Sequence, residues 1–251
     1  MIKMQVKKIR IDKFLVHIGY GSRSEVHKLI KEKRVTLNDK IIHKPDMHLI
    51  IEESKVCVDG GQAVYQEFYY YVLNKPQGVI TATEDKRYRT VMDLLLPIDQ
   101  RKSLAPVGRL DKDTEGLLIL TNDGKLTHEL LSPKKHVDKV YYAKIRGMIT
   151  LQDVKQFEEG IILEDGTSYR SSKLEILHAG DISEIYVTIS EGKFHQVKRM
   201  VMSVGKEVIY LKRIKMGALE LPEDLNIGEY RQLTELELKL LKGEKQGDRT
   251  L

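Results

Sequence analysis

Cysteine is almost missing from this chain: Cys57 stands alone among 251 residues. That excludes a disulfide framework and any thiolate-built metal cluster, and Cys57 itself reads as a small residue of an alternating strand. Tryptophan is absent and phenylalanine occurs four times, so twelve tyrosines carry most of the aromatic surface. No apolar run approaches the roughly 20 residues that span a bilayer. Residues 1–10 are basic but lack the apolar centre of a secretory signal. A cytoplasmic location without membrane contact is the expectation from these absences. No fixed-period repeat, low-complexity segment, nucleotide-binding glycine loop or metal-ligand spacing is visible, so no cofactor and no metal are expected.

What the chain has is charge. Hydrophobic residues make up 41% and charged residues 31%, the balance of a soluble globular protein, and 251 residues suffice for one sizeable core plus a small module. The net charge of +5 is unevenly spread: residues 1–44 contain twelve Lys or Arg against four Asp or Glu, which gives +8 there and −3 elsewhere. A basic module on a mildly acidic body suggests a polyanion-binding attachment, while a solvated lysine-rich surface explains the charge alone equally well.

In chain order, Ile11, Leu15 and Ile18 share one face of a short helix, which Gly19-Tyr20-Gly21 stops. Ser22 followed by Glu25 is a capping-box start for a second helix, with Val26, Leu29 and Ile30 on its apolar face. The period then shortens to two at Val35 and Leu37, Asn38-Asp39 turns, and Ile41-Ile42 resumes. Lys31 to Arg34 place cations at the helix C-terminus, where the dipole and a phosphate both favour them. Gly60-Gly61 is the expected domain boundary, giving a first domain of residues 1–60. Beyond it the pattern predicts strands over Phe68–Leu73, Lys139–Gly147, Ile185–Ile189 and Leu211–Ile214. Residues 74–78 are expected to turn, Val91–Leu96 to form about one helical turn, and helices to run over Lys125–Leu131, Gln152–Glu159 and from Gln196 to Gly205. This body, residues 61–238, is a mixed, strand-rich α+β domain, and residues 239–251 read as a polar tail.

The most informative stretch is G-R-L-D-K-D-T-E-G-L-L-I-L-T-N-D-G, residues 108–124. A tight polar loop bears Arg109, Asp111, Asp113 and Thr114, and four aliphatics, Leu117–Leu120, then read as a strand buried on both faces. Asn122-Asp123-Gly124 closes it as a hairpin-type turn signal. A charged loop at the end of a buried strand is a rigid mount for a reactive group. Asp111-x-Asp113-x-Glu115-Gly116 imitates half a calcium loop, but Asn122 stands where the bidentate glutamate belongs, and strand replaces the flanking helix. Further on, E-G-K-F-H-Q-V-K-R-M (residues 191–200) sets Lys198 in the first turn of a helix. The dipole disfavours a cation there, so an anionic partner is expected.

Two resemblances follow from these residues. R-I-D-K-F-L-V-H-I-G-Y-G-S-R-S-E-V-H-K-L-I-K-E-K-R-V-T-L-N, beginning at Arg10, resembles the small alpha-L RNA-binding module named after ribosomal protein S-four, over residues 9 to about 50. In that family the second helix and its basic surroundings face RNA, which implies Lys13, Arg23, Lys28, Lys31 and Arg34 here. The 108–124 motif, then D-K-V-Y, then E-G-K-F-H-Q-V-K-R-M, in that order, resembles pseudouridine synthases of the RsuA family from about Tyr69 to Leu233. That resemblance implies an α+β protein: an alpha-L domain followed by a mixed, mainly antiparallel sheet. S-P-K-K-H-V-D-K-V-Y and H-Q-V-K-R-M look more like the small-subunit rRNA branch, since large-subunit branches more often carry E-V-R-R. The implied target is uridine 516 of 16S rRNA in the standard numbering, met free or in an assembling small subunit, by a monomeric enzyme.

The resemblance also assigns roles. Asp111 would act at C1′ as nucleophile or electrostatic stabiliser, either of which a carboxylate can be. Lys198 would pair with it, and Tyr141 would stack on the target base. Arg109 is open between a phosphate contact and a loop brace. Asp113 is expected to support the loop, and His195 to make structural hydrogen bonds. On residue physics alone Tyr141 is plain core; only the order of the motifs moves it into the site. Two rivals remain: a large-subunit enzyme of the same family, and a catalytically silent RNA-binding or ribosome-assembly protein.

Overall fold

A computed structural model of the chain describes residues 7–100 and 103–244. The chain divides into two compact units, Met1–Phe68 with Leu95–Leu104, and Tyr69–Leu94 with Ala105–Leu251. Among the described residues no helix is long and apolar enough to cross a membrane.

The first unit contains β1 (Lys8–Arg10), α1 (Ile11–His17), α2 (Arg23–Lys31), β2 (Val35–Leu37), β3 (Lys40–Ile41), β4 (His48–Ile50), β5 (Val56–Val58) and β6 (Gly61–Ala63). The capping box predicted for α2 is present: Ser22 accepts from the Glu25 amide and Glu25 accepts from the Ser22 amide. Ile11, Phe14, Leu15, Val26 and Ile30 pack the two helices onto Val35 and Val56 of the sheet β3-β2-β5-β6. Gly60 does not end the unit. Asp59 and Gly60, both at positive φ, form the two-residue hairpin that pairs Val58 with Gly61, the twist that such loops need. The first unit therefore keeps β6 and runs on to Phe68.

The second unit is built on one sheet. Its elements are β7 (Tyr70–Lys75), β8 (Ala105–Pro106), β9 (Glu115–Thr121), α3 (Gly124–Leu131), β10 (Lys139–Arg146), α4 (Leu151–Glu159), β11 (Ile161–Ile162) and β12 (Ser168–Tyr169). They continue with β13 (Lys173–His178), β14 (Ile182–Ile189), α5 (Gln196–Ser203), β15 (Glu207–Met216), β16 (Leu219–Glu220), β17 (Tyr230–Gln232) and α6 (Glu235–Lys242). The sheet runs β13-β14-β10-β15-β9-β7-β17, with β16 on β15 and β8 on β9, and is mixed but mainly antiparallel. β9 is an interior strand between β15 and β7, and Leu117–Leu120 are fully buried, as an unbroken aliphatic run between two neighbours requires. Leu117 and Ile119 pack with Leu126 and Leu130 of α3, while Leu118 and Leu120 fill the other face.

Three local expectations are corrected. Asn122-Asp123-Gly124 is a helix start, not a hairpin: Asp123 accepts from the Leu126 amide and from the Tyr70 hydroxyl, so its side chain caps α3. Asn74 and Lys75 lie inside β7 rather than in the turn, because β7 stays paired with β9 as far as Lys75↔Gly116. Residues 239–242 belong to α6, which starts on a Thr234–Glu237 capping box and buries Leu241. Residues 245–251 of the expected tail lie outside the described residues.

Candidate active site

The loop bearing Asp111 is gripped from below by the chain that leaves β7. Lys75 is completely buried, and its ammonium donates 3.0 Å hydrogen bonds to the carbonyls of Pro76, Asp111 and Thr114. Gly78 donates its amide to the Lys112 carbonyl, and the Thr81 hydroxyl both donates to the Leu110 carbonyl and accepts from the Leu110 amide. Burial pushes the Lys75 pKa down to about 8 although Asp113, Asp111 and Glu115 favour its charge. An ammonium has three N–H groups for three carbonyls, so the protonated form fits this socket.

Gly116 fixes where the loop ends. It has φ +100° and pairs in parallel with Arg213 of β15, so close that an added Cβ would lie 2.2 Å from the Arg213 carbonyl oxygen. Only glycine permits that approach. Arg213, itself buried, donates Nε to the Leu117 carbonyl and reinforces the same junction.

From the other side comes α5. Val197, Met200 and Val201 bury its apolar face, which turns Lys198 toward the loop. Its Nζ lies 3.1 Å from Asp111 Oδ2 and 2.5 Å from Asp113 Oδ1. Burial opposes the Lys198 charge, but hydrogen bonds to Asp113 and Asp111 outweigh it and raise the pKa above the usual lysine value. Asp113 likewise overcomes its burial through Lys198 and titrates below the usual carboxylate range. The cation in the first turn thus has the anionic partners that the dipole argument demanded. His195, at the α5 N-cap in a left-handed conformation, places Nε2 3.6 Å from Asp111 Oδ1, longer than a hydrogen bond.

Tyr141 lies on the buried face of β10 with Ala143 and Ile145, and is 8% exposed. With Arg109, Asp111, Lys198 and Leu211 it lines a pocket of about 60 Å³. A cleft of about 830 Å³ shares Arg109, Asp111, His195 and Lys198 with that pocket and extends past Thr81, Lys112 and Phe194. Arg109 is exposed and has no ion pair or hydrogen bond among the described residues. Four predicted residues, Arg109, Asp111, Tyr141 and Lys198, therefore meet at the smaller pocket, which adjoins the cleft.

The five predicted RNA contacts lie in the first unit. Lys13 and Arg23 line a pocket beside Asp12, Lys28 and Lys31 are exposed on α2, and Arg34 forms a two-pronged ion pair with Asp59. Sequence reasoning missed Lys75, because Asn-Lys-Pro-Gln-Gly reads as a turn. A lysine two residues beyond the apolar run Tyr71-Val72-Leu73 was the available signal. It also missed the bond from Lys198 to Asp113.

Asp111 thus pairs with Lys198 at a pocket that Tyr141 also lines. Comparison with known proteins identifies the class. The family model for RNA pseudouridylate synthase matches residues 69–203, and that for the S4 domain matches residues 9–49. The chain belongs to the RNA pseudouridylate synthase family, whose members are isomerases, and carries an S4 RNA-binding domain. It is 48% identical to an uncharacterised RNA pseudouridine synthase of Bacillus subtilis, over 93% of this chain and 98% of that one. It is 38% identical to ribosomal large subunit pseudouridine synthase B of Bacillus subtilis (93% and 95% covered) and 35% identical to ribosomal small subunit pseudouridine synthase A of Escherichia coli (92% and 98% covered). A crystal structure of a pseudouridylate synthase, 34% identical, superposes with a TM-score of 0.65 over 93% of this chain and 99% of that one.

Proposed function

We propose that this enzyme converts one uridine of ribosomal RNA to pseudouridine, with Asp111 as the group acting at C1′. The observation that carries the proposal is the Asp111–Lys198 pair, on a loop held by the Lys75 socket, at a pocket that Tyr141 also lines. In the reaction the N1–C1′ bond breaks, the base turns, C5 bonds to C1′, and the C5 proton is lost while N1 gains one. No redox step or energy source is involved. The carboxylate either adds to C1′ or stabilises positive charge there, and Lys198 orients it. Tyr141 stacks on the base, and Arg109, exposed at the cleft with no ion pair among the described residues, holds the phosphate of the flipped nucleotide. Extruding a base costs a few kcal/mol, offset by phosphate contacts and about 1–3 kcal/mol of stacking. The S4 domain binds the same RNA through Lys13, Arg23, Lys28, Lys31 and Arg34.

Within rRNA we assign the target to the small subunit, at uridine 516 of 16S rRNA, on the strength of the S-P-K-K-H-V-D-K-V-Y and H-Q-V-K-R-M stretches. A second reading, a uridine of 23S rRNA, is favoured by the 38% identity to the large-subunit enzyme of Bacillus subtilis. Incubating the protein with unmodified 16S and 23S transcripts and mapping pseudouridine chemically separates them. Conversion of 16S by wild type and not by Asp111→Asn is the expected result. Conversion of 23S alone replaces the target, and RNA binding without conversion of either leaves a silent binding protein.

A further inference from the structure

Phe194 is the feature of the cleft that the reaction leaves unused. Its side chain is 75% exposed, yet it lines the same cleft as Asp111 and Arg109. One face of its ring lies against the His195 imidazole, with centroids 3.8 Å apart and planes inclined by 19°. Successive side chains on an extended backbone point to opposite sides. Here the left-handed turn at His195 (φ 49°, ψ 32°), fixed by the start of α5, folds the two rings onto each other. His195 in turn lies beside Asp111. The result is a short ladder of rings leading from the carboxylate outward, ending in an aromatic face open to solvent.

The cleft around that face is cationic. Arg109, Lys112, Lys193 and Lys198 line it against Asp111 and Asp113, a net excess of positive charge, and Lys112 is set over the Tyr88 ring at 4.1 Å from the centroid. A large apolar ring standing in water among cations suits a ligand with flat faces and a negatively charged backbone. When one nucleotide is everted for chemistry, its neighbour in the strand loses a stacking partner. An aromatic platform beside the reactive group can replace that partner, and it does so for any base, because every base has a π-face.

We propose that Phe194, backed by His195, is a base-stacking subsite that takes the unpaired nucleotide next to the target uridine, so that the cleft binds a single-stranded segment of RNA rather than one nucleotide. This rests on reading the cleft as the site of uridine isomerisation. It adds a recognition role for a residue whose ring is backed by His195.

The test uses the full chain carrying Asp111→Asn, titrated with a short uridine-rich single-stranded RNA that contains one 2-aminopurine. Stacking on Phe194 quenches its fluorescence. Adding Phe194→Ala or Phe194→Leu is expected to abolish the quench and weaken binding roughly tenfold, equivalent to about 1.4 kcal/mol, and Phe194→Trp is expected to restore both. Alongside, Phe194→Ala alone should raise KM for the rRNA that wild type converts about tenfold while lowering kcat far less. Equal quenching with and without Phe194, at unchanged affinity, overturns the subsite. Full conversion by Asp111→Asn would overturn the catalytic reading instead, a result the fluorescence measurement does not share.

Discussion

Two aspartates, one in each unit, are both surrounded by cations, and they differ in what is left over. Asp12 is 1% exposed and fully engaged: Arg10 grips it with two hydrogen bonds of 2.7 and 3.0 Å, the Lys13 amide donates at 2.8 Å, and His27 lies at 3.3 Å. Burial would raise its pKa, but Arg10, His27 and the Lys13 amide reverse that and hold it below the usual carboxylate range. Asp111 is 29% exposed and has Lys198 on one oxygen, while the other, 3.6 Å from His195, faces the cleft. The loop around Asp111 is held by its backbone, through Lys75, and not by its carboxylate. A carboxylate whose acceptor capacity is spent stabilises the fold, whereas one held by its main chain keeps a lone pair for chemistry.

That contrast can be broken by substitution. Asp111→Asn should cost roughly 10³-fold or more in conversion, with a thermal melt close to wild type; a melt that falls along with activity would make Asp111 structural like Asp12. Lys75→Met should lower kcat by roughly 10²-fold through displacement of the loop, and destabilise the protein by about 1–3 kcal/mol through unpaired carbonyls. Rescue by Lys75→Arg is not expected, because a guanidinium does not fit a three-carbonyl socket built for an ammonium. Removing residues 1–68 should weaken RNA binding about tenfold and flatten its salt dependence, each lost contact to a single-strand phosphate taking about 0.7 from the slope. An unchanged slope in salt titrations would remove the S4 unit from RNA recognition.

Asp12→Asn should destabilise the first unit by about 1–3 kcal/mol, seen as faster amide exchange there, with kcat for rRNA retained. Because the folded Asp12 pKa is depressed, its stabilisation is present above the unfolded value of about 3.9 and disappears as pH falls through the folded value. Acid unfolding of Asp12→Asn should therefore lose part of its pH dependence. The smallest effect is on the alkaline side. Lys75 loses a proton near pH 8, and the neutral amine has two N–H groups for three carbonyls. The kcat of wild type should decline severalfold above about pH 8 as one loop contact is lost. A flat profile to pH 9 would show that two bonds hold the loop as well as three.

Much of this was legible beforehand. The α2 capping box, the buried β9, the alternation of β10 and the start of α5 at Gln196 all depend on residues within a few positions of one another, and all were predicted. The Asp111, Tyr141 and Lys198 set was also named, but only from the order of three motifs, since spacing alone left Tyr141 in the core. Asp123 was misread because an Asn-Asp-Gly run signals a hairpin and a helix cap in the same letters, and pairing with Tyr70 decides between them. Lys75 was invisible because a buried lysine is expected only where something far away needs it.

The sequence by itself determined most of the elements, their periodicities and the charge split, because these rest on nearest-neighbour sterics and hydrophobic pattern. Only the tertiary structure decided which carboxylate keeps an open oxygen, which lysine becomes a clamp and which aromatic ring stands in the cleft. Those depend on contacts between β7, the Asp111 loop and α5, segments tens of residues apart, where burial and hydrogen-bond saturation are set by the partner and not by the residue.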